Sequence, residues 1–299
     1  MILCCGEALI DMLPRQTDAG EPAFAPYAGG AVFNTAIALG RLGAPSGYLG
    51  GLSNDLFGQM LAEALTASKV DYSLCPRSGR PSTLAFVTLT DGQARYAFYD
   101  ENTAGRMLSE PELPSLDDTT EALFFGGISL VSEPQANSYA ALCSRAGDRV
   151  VMIDPNIRPG FITNEASYRA RLAAMLARAD IVKISDEDMD WLGTDPASLL
   201  QGDTSVVLVT LGAEGVDVMT AKGTHRVPAR RVTVVDTVGA GDTFNAGFLA
   251  GLHKAGLLSR KALATAPAEN LGSAAELGVR SAAVTVSRAG ANPPWEHEL

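Results

Sequence analysis

Residues 236–248 read Asp236-Thr237-Val238-Gly239-Ala240-Gly241-Asp242-Thr243-Phe244-Asn245-Ala246-Gly247-Phe248. A β-branched run, Arg231-Val232-Thr233-Val234-Val235, leads into them, and an apolar, Gly/Ala-rich run continues through Leu249, Ala250 and Leu252. The pattern predicts a strand, a glycine turn and a buried helix. Such a turn is an anion site: Gly239 and Gly241 lack a Cβ, so successive N–H groups can converge on a phosphate with the positive end of the helix behind them. Asp242 falls in the first helical turn. As a first-turn acid it needs no function; phosphoryl transfer, however, calls for a base on the incoming hydroxyl beside donors for the developing charge.

Outward from this site, the chain alternates strands and helices. Toward the C-terminus, 264–279 predicts helix, and an apolar run, 281–286, enters the loop Ser287-Arg288-Ala289-Gly290. Upstream, 204–209 predicts a strand entering Thr210-Leu211-Gly212-Ala213-Glu214-Gly215, with 216–220 a further strand. Before that come a helix over 165–178, a strand over 180–184, and Ser185-Asp186-Glu187-Asp188, which reads as an N-cap with an acidic first turn. The strand 149–153 leaves the sheet as Asp154-Pro155-Asn156-Ile157-Arg158-Pro159, a rigid polar platform where open α/β sheets bind ligands.

The N-terminal half carries a second glycine-opened helix, Gly29-Gly30-Ala31-Val32-Phe33-Asn34, ending at Gly43. Residues 1–13 read as the first core strand, with Glu7 and Asp11 toward its ligand end. Between 81 and 99 the period changes to two: an alternating run, a turn at Asp91-Gly92 and a return through Arg95–Tyr99 predict a hairpin that can cover a site, with Phe86, Tyr96 and Phe98 as its aromatics.

Two of these segments, 236–248 and the Gly29-Gly30…Asn34 stretch, resemble the two signatures of the PfkB (ribokinase-like) carbohydrate kinases. The resemblance covers Asp11 to Pro294; Ala97–Leu108 and Asp154–Pro159 are similar to bacterial fructokinases in particular. It implies one ribokinase-like three-layer α/β/α domain over 1–299, with a central mostly parallel sheet and a small β lid from about 12–28 and 81–100. It also implies ATP-dependent phosphorylation of a sugar hydroxymethyl group, most simply fructose. Ribose, 2-keto-3-deoxygluconate or a nucleoside are alternatives within the family, and a catalytically silent sugar-binding regulator is one of another class.

The residue roles follow from the same resemblance. Asp242 would be the base and Gly239, Ala240 and Gly241 the anion hole. Asp11, Gly29, Gly30, Asn34, Asn156 and Arg158 would hold the sugar or transferred phosphate, the guanidinium offering paired donors. Lys183, Thr210, Gly212 and Gly215 would border ATP. The family's N-x-x-E motif near hydrated Mg2+ is altered here to Ser185 and Asp188, with Glu187 as a substitute. A K+ ion would take the Asp236 carboxylate and carbonyls of Val238, Thr285, Arg288 and Gly290.

Composition is that of an ordinary soluble globular chain. The 299 residues are 46% hydrophobic and carry a formal net charge of −11 with no basic run, which argues against nucleic acid as a partner. Cys4, Cys5, Cys75 and Cys143 lack metal-ligand spacing and read as buried thiols in a reducing cytoplasm. The N-terminus lacks a basic flank and is interrupted by Glu7 and Asp11, so neither a signal peptide nor a membrane span is expected. The family resemblance also implies a homodimer through the lid as a possible assembly. A Rossmann-type dinucleotide fold is disfavoured, because the glycines form two separate sites and not one fingerprint after the first strand.

Overall fold

The computed structural model describes residues 1–90 and 93–299, with backbone alone at 88–90 and 93–96. The strands in chain order are β1 (Ile2–Cys5), β2 (Leu9–Gln16), β3 (Pro22–Gly29), β4 (Ser46–Leu49), β5 (Leu52–Ser53), β6 (Arg77–Ser78), β7 (Leu84–Thr90), β8 (Gln93–Tyr99), β9 (Ala122–Gly126), β10 (Val150–Asp154), β11 (Ile181–Ser185), β12 (Val206–Thr210), β13 (Val216–Thr220) and β14 (Gly223–Val227). The α-helices are α1 (Ala31–Arg41), α2 (Leu56–Ala67), α3 (Gln135–Ser144), α4 (Glu165–Arg178), α5 (Asp186–Leu192), α6 (Pro196–Leu199), α7 (Ala240–Lys254), α8 (Arg260–Thr265) and α9 (Gly272–Val286).

Eight strands form the central sheet in the order β14-β13-β12-β11-β10-β9-β1-β4, parallel from β12 to β4 and antiparallel at β13 and β14. Its parallel strands are largely apolar and buried because both faces are covered, while the antiparallel β13 and β14 alternate or are exposed. Ile2, Cys4, Phe124 and Met152 pack among α1, α2, α7 and α9 on one side, while Leu3, Cys5, Leu123, Phe125 and Ile153 pack among α3 and α4 on the other. The result is a three-layer α/β/α arrangement. A separate four-stranded sheet, β3-β2-β7-β8, stands beside it.

Strand order reverses between β1 and β9, since β1 proceeds through α1 to β4 on one side while β9 proceeds to β10, β11 and β12 on the other. The carboxyl ends of two neighbouring strands diverge there and open a crevice.

Local readings differ in two places. Residues 1–13 form two strands, not one: the chain leaves the central sheet after Cys5 and enters the small sheet as β2. A Cβ on Gly6 would lie 2.4 Å from a Val32 methyl, so the break sits where α1 presses onto the chain. The predicted strand at 231–235 is not one. Val232, Val234 and Val235 are exposed, and the N–H groups of Val235 and Asp236 donate to the Val286 carbonyl at the end of α9, not to a neighbouring strand. β-branched residues alone do not make a strand without a sheet edge and an apolar face to join. The apolar run 281–286 is the last part of α9. The Asp91-Gly92 turn and the Tyr96 side chain lie outside the described residues.

Candidate active site

The crevice holds a cavity of about 410 Å³. α7 supplies its anion turn. Gly239 is the helix N-cap at φ +78°, a left-handed conformation that favours glycine, and a Cβ there would lie 2.8 Å from the Ala291 methyl. The N–H groups of Gly241 and Asp242 fall in the first turn, which has no intrahelical acceptor for them. Thr237 to Asp242 line one wall of the cavity.

Asp242 is buried there. Asn34 Nδ2 donates to its Oδ2 at 2.9 Å, and the Thr35 hydroxyl reaches its backbone carbonyl at 3.3 Å. Packing of α1 on α7 brings together residues 208 apart in sequence. Burial is the main cause that pushes the Asp242 carboxyl up to about 7; the nearby charges of Asp154 and Glu7 raise it further, while the Asn34 bond and the Lys183 charge oppose them. A carboxylate poised near neutral pH has the proton affinity of an effective general base.

Gly29 and Gly30 are explained by what they touch. A Cβ on Gly29 would lie 2.4 Å from Asp11 Oδ2, and one on Gly30, at φ +112°, would lie 2.8 Å from the Glu7 carbonyl. Asp11 pairs in register with Tyr27 across the small sheet and lines the cavity; burial pushes its carboxyl up to about 6. Asn156, at φ +42°, and exposed Arg158 also line it, Arg158 Nη1 donating to its neighbour's carbonyl, that of Ile157, at 3.0 Å. Phe98 from β8 meets Phe161 edge-on, ring centroids 4.5 Å apart, and both face the cavity, so the small sheet touches the platform after β10.

Lys183 lines the same cavity, buried and paired with Asp154 at 3.2 Å. Thr210, Gly212 and Gly215 are not among the lining residues. Thr210 ends β12 beside β11, Gly212 has open space where a Cβ would stand, and Gly215 turns against the Val227 carbonyl. Asp188 is also absent from the lining. Its Oδ1 accepts from Ile157 N at 2.8 Å, and its Oδ2 accepts from the Ser185 hydroxyl at 2.7 Å, so it clamps the platform onto the start of α5. Glu187 is exposed.

Asp236 ties the loop before α7 to the C-terminal loop, accepting from Val238 N at 3.0 Å and Gly290 N at 2.8 Å. The Thr285 hydroxyl, on α9, donates to Thr243, and Arg288 pairs with Glu298. The segments named for a monovalent cation therefore do meet, held by a turn network that also accounts for their closeness.

Glu7 is legible in sequence only as a strand-end acid. Its Oε1 accepts from Ala31 N at 2.9 Å and its Oε2 from Ser129 N at 3.2 Å, bridging the start of α1 and the turn after β9 across the crevice. Burial raises it to about 7. Asp154 heads the polar platform and Asn245 lies in the 236–248 stretch, but nothing in either segment marks them as partners. Their one signal is a lysine inside a buried apolar strand, which requires an opposite charge on a neighbour.

An open α/β sheet with a carboxylate buried at a helix-opening glycine turn, beside a cavity of about 410 Å³, is an arrangement that phosphoryl transfer can use. Residues 1–298 match the family model described as pfkB family carbohydrate kinase. The chain belongs to that family, and it is a phosphotransferase acting on a sugar hydroxyl. It is 56% identical over 272 residues to a fructokinase of Rhizobium leguminosarum bv. trifolii, covering 89% of this chain and 83% of that one. Among solved structures it is similar to fructokinase with bound ATP from Xylella fastidiosa, with TM-score 0.87, 30% identity, and coverage of 97% and 93% of the two chains. It is similar also to a Vibrio cholerae O395 fructokinase double mutant in a fructose-, ADP- and potassium-bound form, with TM-score 0.83, 25% identity and coverage of 97% and 93%.

Proposed function

We propose that the chain is a fructokinase, transferring the γ-phosphate of ATP to a hydroxymethyl group of fructose. The observation that carries the reading is Asp242: a buried carboxylate, oriented by Asn34, at the mouth of the Gly239–Gly241 turn and in one cavity with Asp11. The 56% identical relative is named fructokinase, which favours fructose over ribose, 2-keto-3-deoxygluconate or a nucleoside.

In this reading Asp11 accepts hydrogen bonds from sugar hydroxyls, with Asn156 beside it. Asp242 takes the proton of the attacking hydroxyl, whose oxygen bonds to the γ-phosphorus as the bond to the bridging oxygen breaks and ADP leaves. The N–H groups of the Gly239–Gly241 turn, with Arg158 and Lys183, face the charge that develops. Thr210, Gly212 and Gly215 border the nucleotide farther along the strand ends.

Magnesium enters as the counter-ion of ATP and, when bound, neutralises its phosphate oxygens. Asp188, occupied by Ile157 and Ser185, does not fit a direct ligand, as expected for an ion that keeps most of its waters. A potassium ion between the Asp236 loop, including Val238, and Thr285, Arg288 and Gly290 belongs to this reading, supported by the meeting of the two loops, which the Asp236 carboxylate ties together by accepting from Val238 N and Gly290 N. The exposed aromatics Phe24 and Tyr99 on the small sheet support a homodimer through it. Among the described residues no helix is long and apolar enough to cross a membrane, and a cytoplasmic enzyme is the reading that goes with ATP as substrate.

The test is ADP release with ATP and magnesium over fructose, ribose, 2-keto-3-deoxygluconate, glucose and adenosine, with and without potassium. Preference for fructose is expected. Turnover confined to another sugar would replace fructose, and sugar binding with no turnover on any of them would replace the kinase by a silent sugar-binding regulator.

A further inference from the structure

Behind the base, the lysine that faces the transferred charge is itself held in a buried charge cluster. Lys183 and Asp154 stand side by side on adjacent parallel strands, continuing the register Met152 to Ile181 and Ile153 to Val182. Lys183 Nζ is 3.2 Å from Asp154 Oδ2 and 3.3 Å from Oδ1, and both residues are buried. Asn245, one turn of α7 after Asp242, donates its Nδ2 to Asp154 Oδ2 at 2.7 Å.

Two features show that this arrangement is held at a cost. The Asn245 Oδ1 is buried and has no hydrogen-bond partner among the described residues. A buried acceptor without a protein partner is unfavourable. Rotating the amide would not help, because it would turn Oδ1 onto the Asp154 carboxylate. The second is the ion pair, since a buried pair is often no more stabilising than apolar residues of the same volume. Both costs are borne to the same end, which is to keep the Asp154 carboxylate fixed against Lys183. The ammonium in turn lies beneath the anion turn, 3.6 Å from where a Cβ on Gly241 would stand.

Resting on the kinase reading, we propose that Asp154, clamped by Asn245, is a positioning residue that fixes the Lys183 ammonium under the Gly239–Gly241 turn and balances its charge beside Asp242. Without Asp154 the ammonium is free to turn toward Asp242 itself and form a dead-end ion pair with the base. The charged groups facing Asp242 are Glu7 from the segment after β1, Asp154 at the end of β10 and Lys183 of β11; from α1 it meets the neutral Asn34. Asp154 raises the Asp242 carboxyl and Lys183 lowers it, so the two halves of the pair oppose each other at the base.

Removing either half therefore leaves an opposite signature. Asp154→Asn keeps the shape and an acceptor for Asn245 but removes the negative charge. The acid limb of the kcat/KM profile is expected to move to lower pH by about half a unit to one unit. Lys183→Met removes the positive charge, and the limb is expected to move to higher pH by a similar amount. Asn245→Ser leaves both charges and is expected to lower kcat about tenfold or more with the limb close to its original place. Circular dichroism and fructose binding by calorimetry on each variant separate misfolding from chemistry.

Limbs displaced in the same direction, or unmoved in both charge variants with folding and sugar binding intact, would overturn the proposal. Should Lys183→Met not fold, Asp154→Asn alone decides through the sign of its displacement. Absence of turnover in the unaltered protein on every sugar would sink the kinase reading itself, an outcome distinct from an active enzyme whose limb ignores Asp154.

Discussion

Replacing the base is expected to inactivate the enzyme and stabilise it. Burial raises the Asp242 carboxyl from 3.8 to about 7. Between those values the folded chain keeps a proton there that the unfolded chain has released. The stability associated with the protonated group is thus fully present below pH 3.8 and is lost as pH rises to about 7. At ~1.4 kcal/mol per pH unit, the ionised group withholds about 4 kcal/mol from the folded state at about pH 8. Asp242→Asn removes that cost while its Oδ1 still accepts the bond from Asn34. With roughly 2 °C per kcal/mol for a chain of this size, Tm is expected to rise by about 5–8 °C at about pH 8. The gain should shrink steadily on acidification and be nearly absent at about pH 4, with turnover lost throughout. Thermal unfolding of both proteins across that range, followed by circular dichroism without ligands, is the assay. Superimposable curves at the alkaline end, or a gap widening toward the acid end, would refute the buried-charge argument, and near-normal turnover would refute Asp242 as the base.

Three further perturbations follow from the geometry. Gly30→Ala forces a side chain into a left-handed conformation 2.8 Å from the Glu7 carbonyl, and denaturant unfolding should show a loss of about 2–3 kcal/mol; an unchanged midpoint would mean that the turn relaxes freely. Phe161→Ala removes the ring that meets Phe98, so the KM for sugar should rise severalfold and ATP hydrolysis without sugar should alter; identical values of both would detach the small sheet from closure. All four thiols are buried, and burial pushes those of Cys75 and Cys143 up to about 12 and those of Cys4 and Cys5 upward as well. An aromatic disulfide reagent at mildly alkaline pH should therefore find no reactive thiol in the folded protein and all four after denaturation, and rapid native labelling would contradict that packing.

The parts of the site that are legible in sequence are those written in backbone. Gly30 and Gly239 both adopt left-handed conformations at helix starts, and a glycine followed by an apolar helical run announces that locally. Asp242 comes with its own turn. Partnerships are less visible, because register between strands is not a local property. Lys183 is expected beside phosphate, whereas its direct partner is Asp154, fixed by how β10 and β11 align. Asp188 is expected near a metal, yet its oxygens hold Ile157 and Ser185. A first-turn carboxylate looks the same in sequence whether it faces a ligand or a neighbouring loop. The valines at 232–235 carry a strand signal that no sheet edge is there to accept.

Charge balance links these residues to the reaction. Among the described residues, Glu7, Asp11, Asp154 and Asp242 line the cavity with Lys183 and Arg158 as the cations. A site for a polyanion would be repulsive if all four carboxyls were ionised. Burial softens this, because raised proton affinities let Glu7 and Asp242 stay partly protonated near neutral pH and Asp11 somewhat below it. The difficulty moves to the base: an unscreened triphosphate would raise Asp242 further and leave it protonated, unable to accept the hydroxyl proton. In the proposed reaction the Lys183 ammonium, the Gly239–Gly241 turn and the counter-ion carried by ATP act in a second way beyond stabilising the transferred group. They offset the phosphate charge that would otherwise disable the base. That requirement explains why a chain with net charge −11 buries one of its few lysines under the turn and secures it with an aspartate.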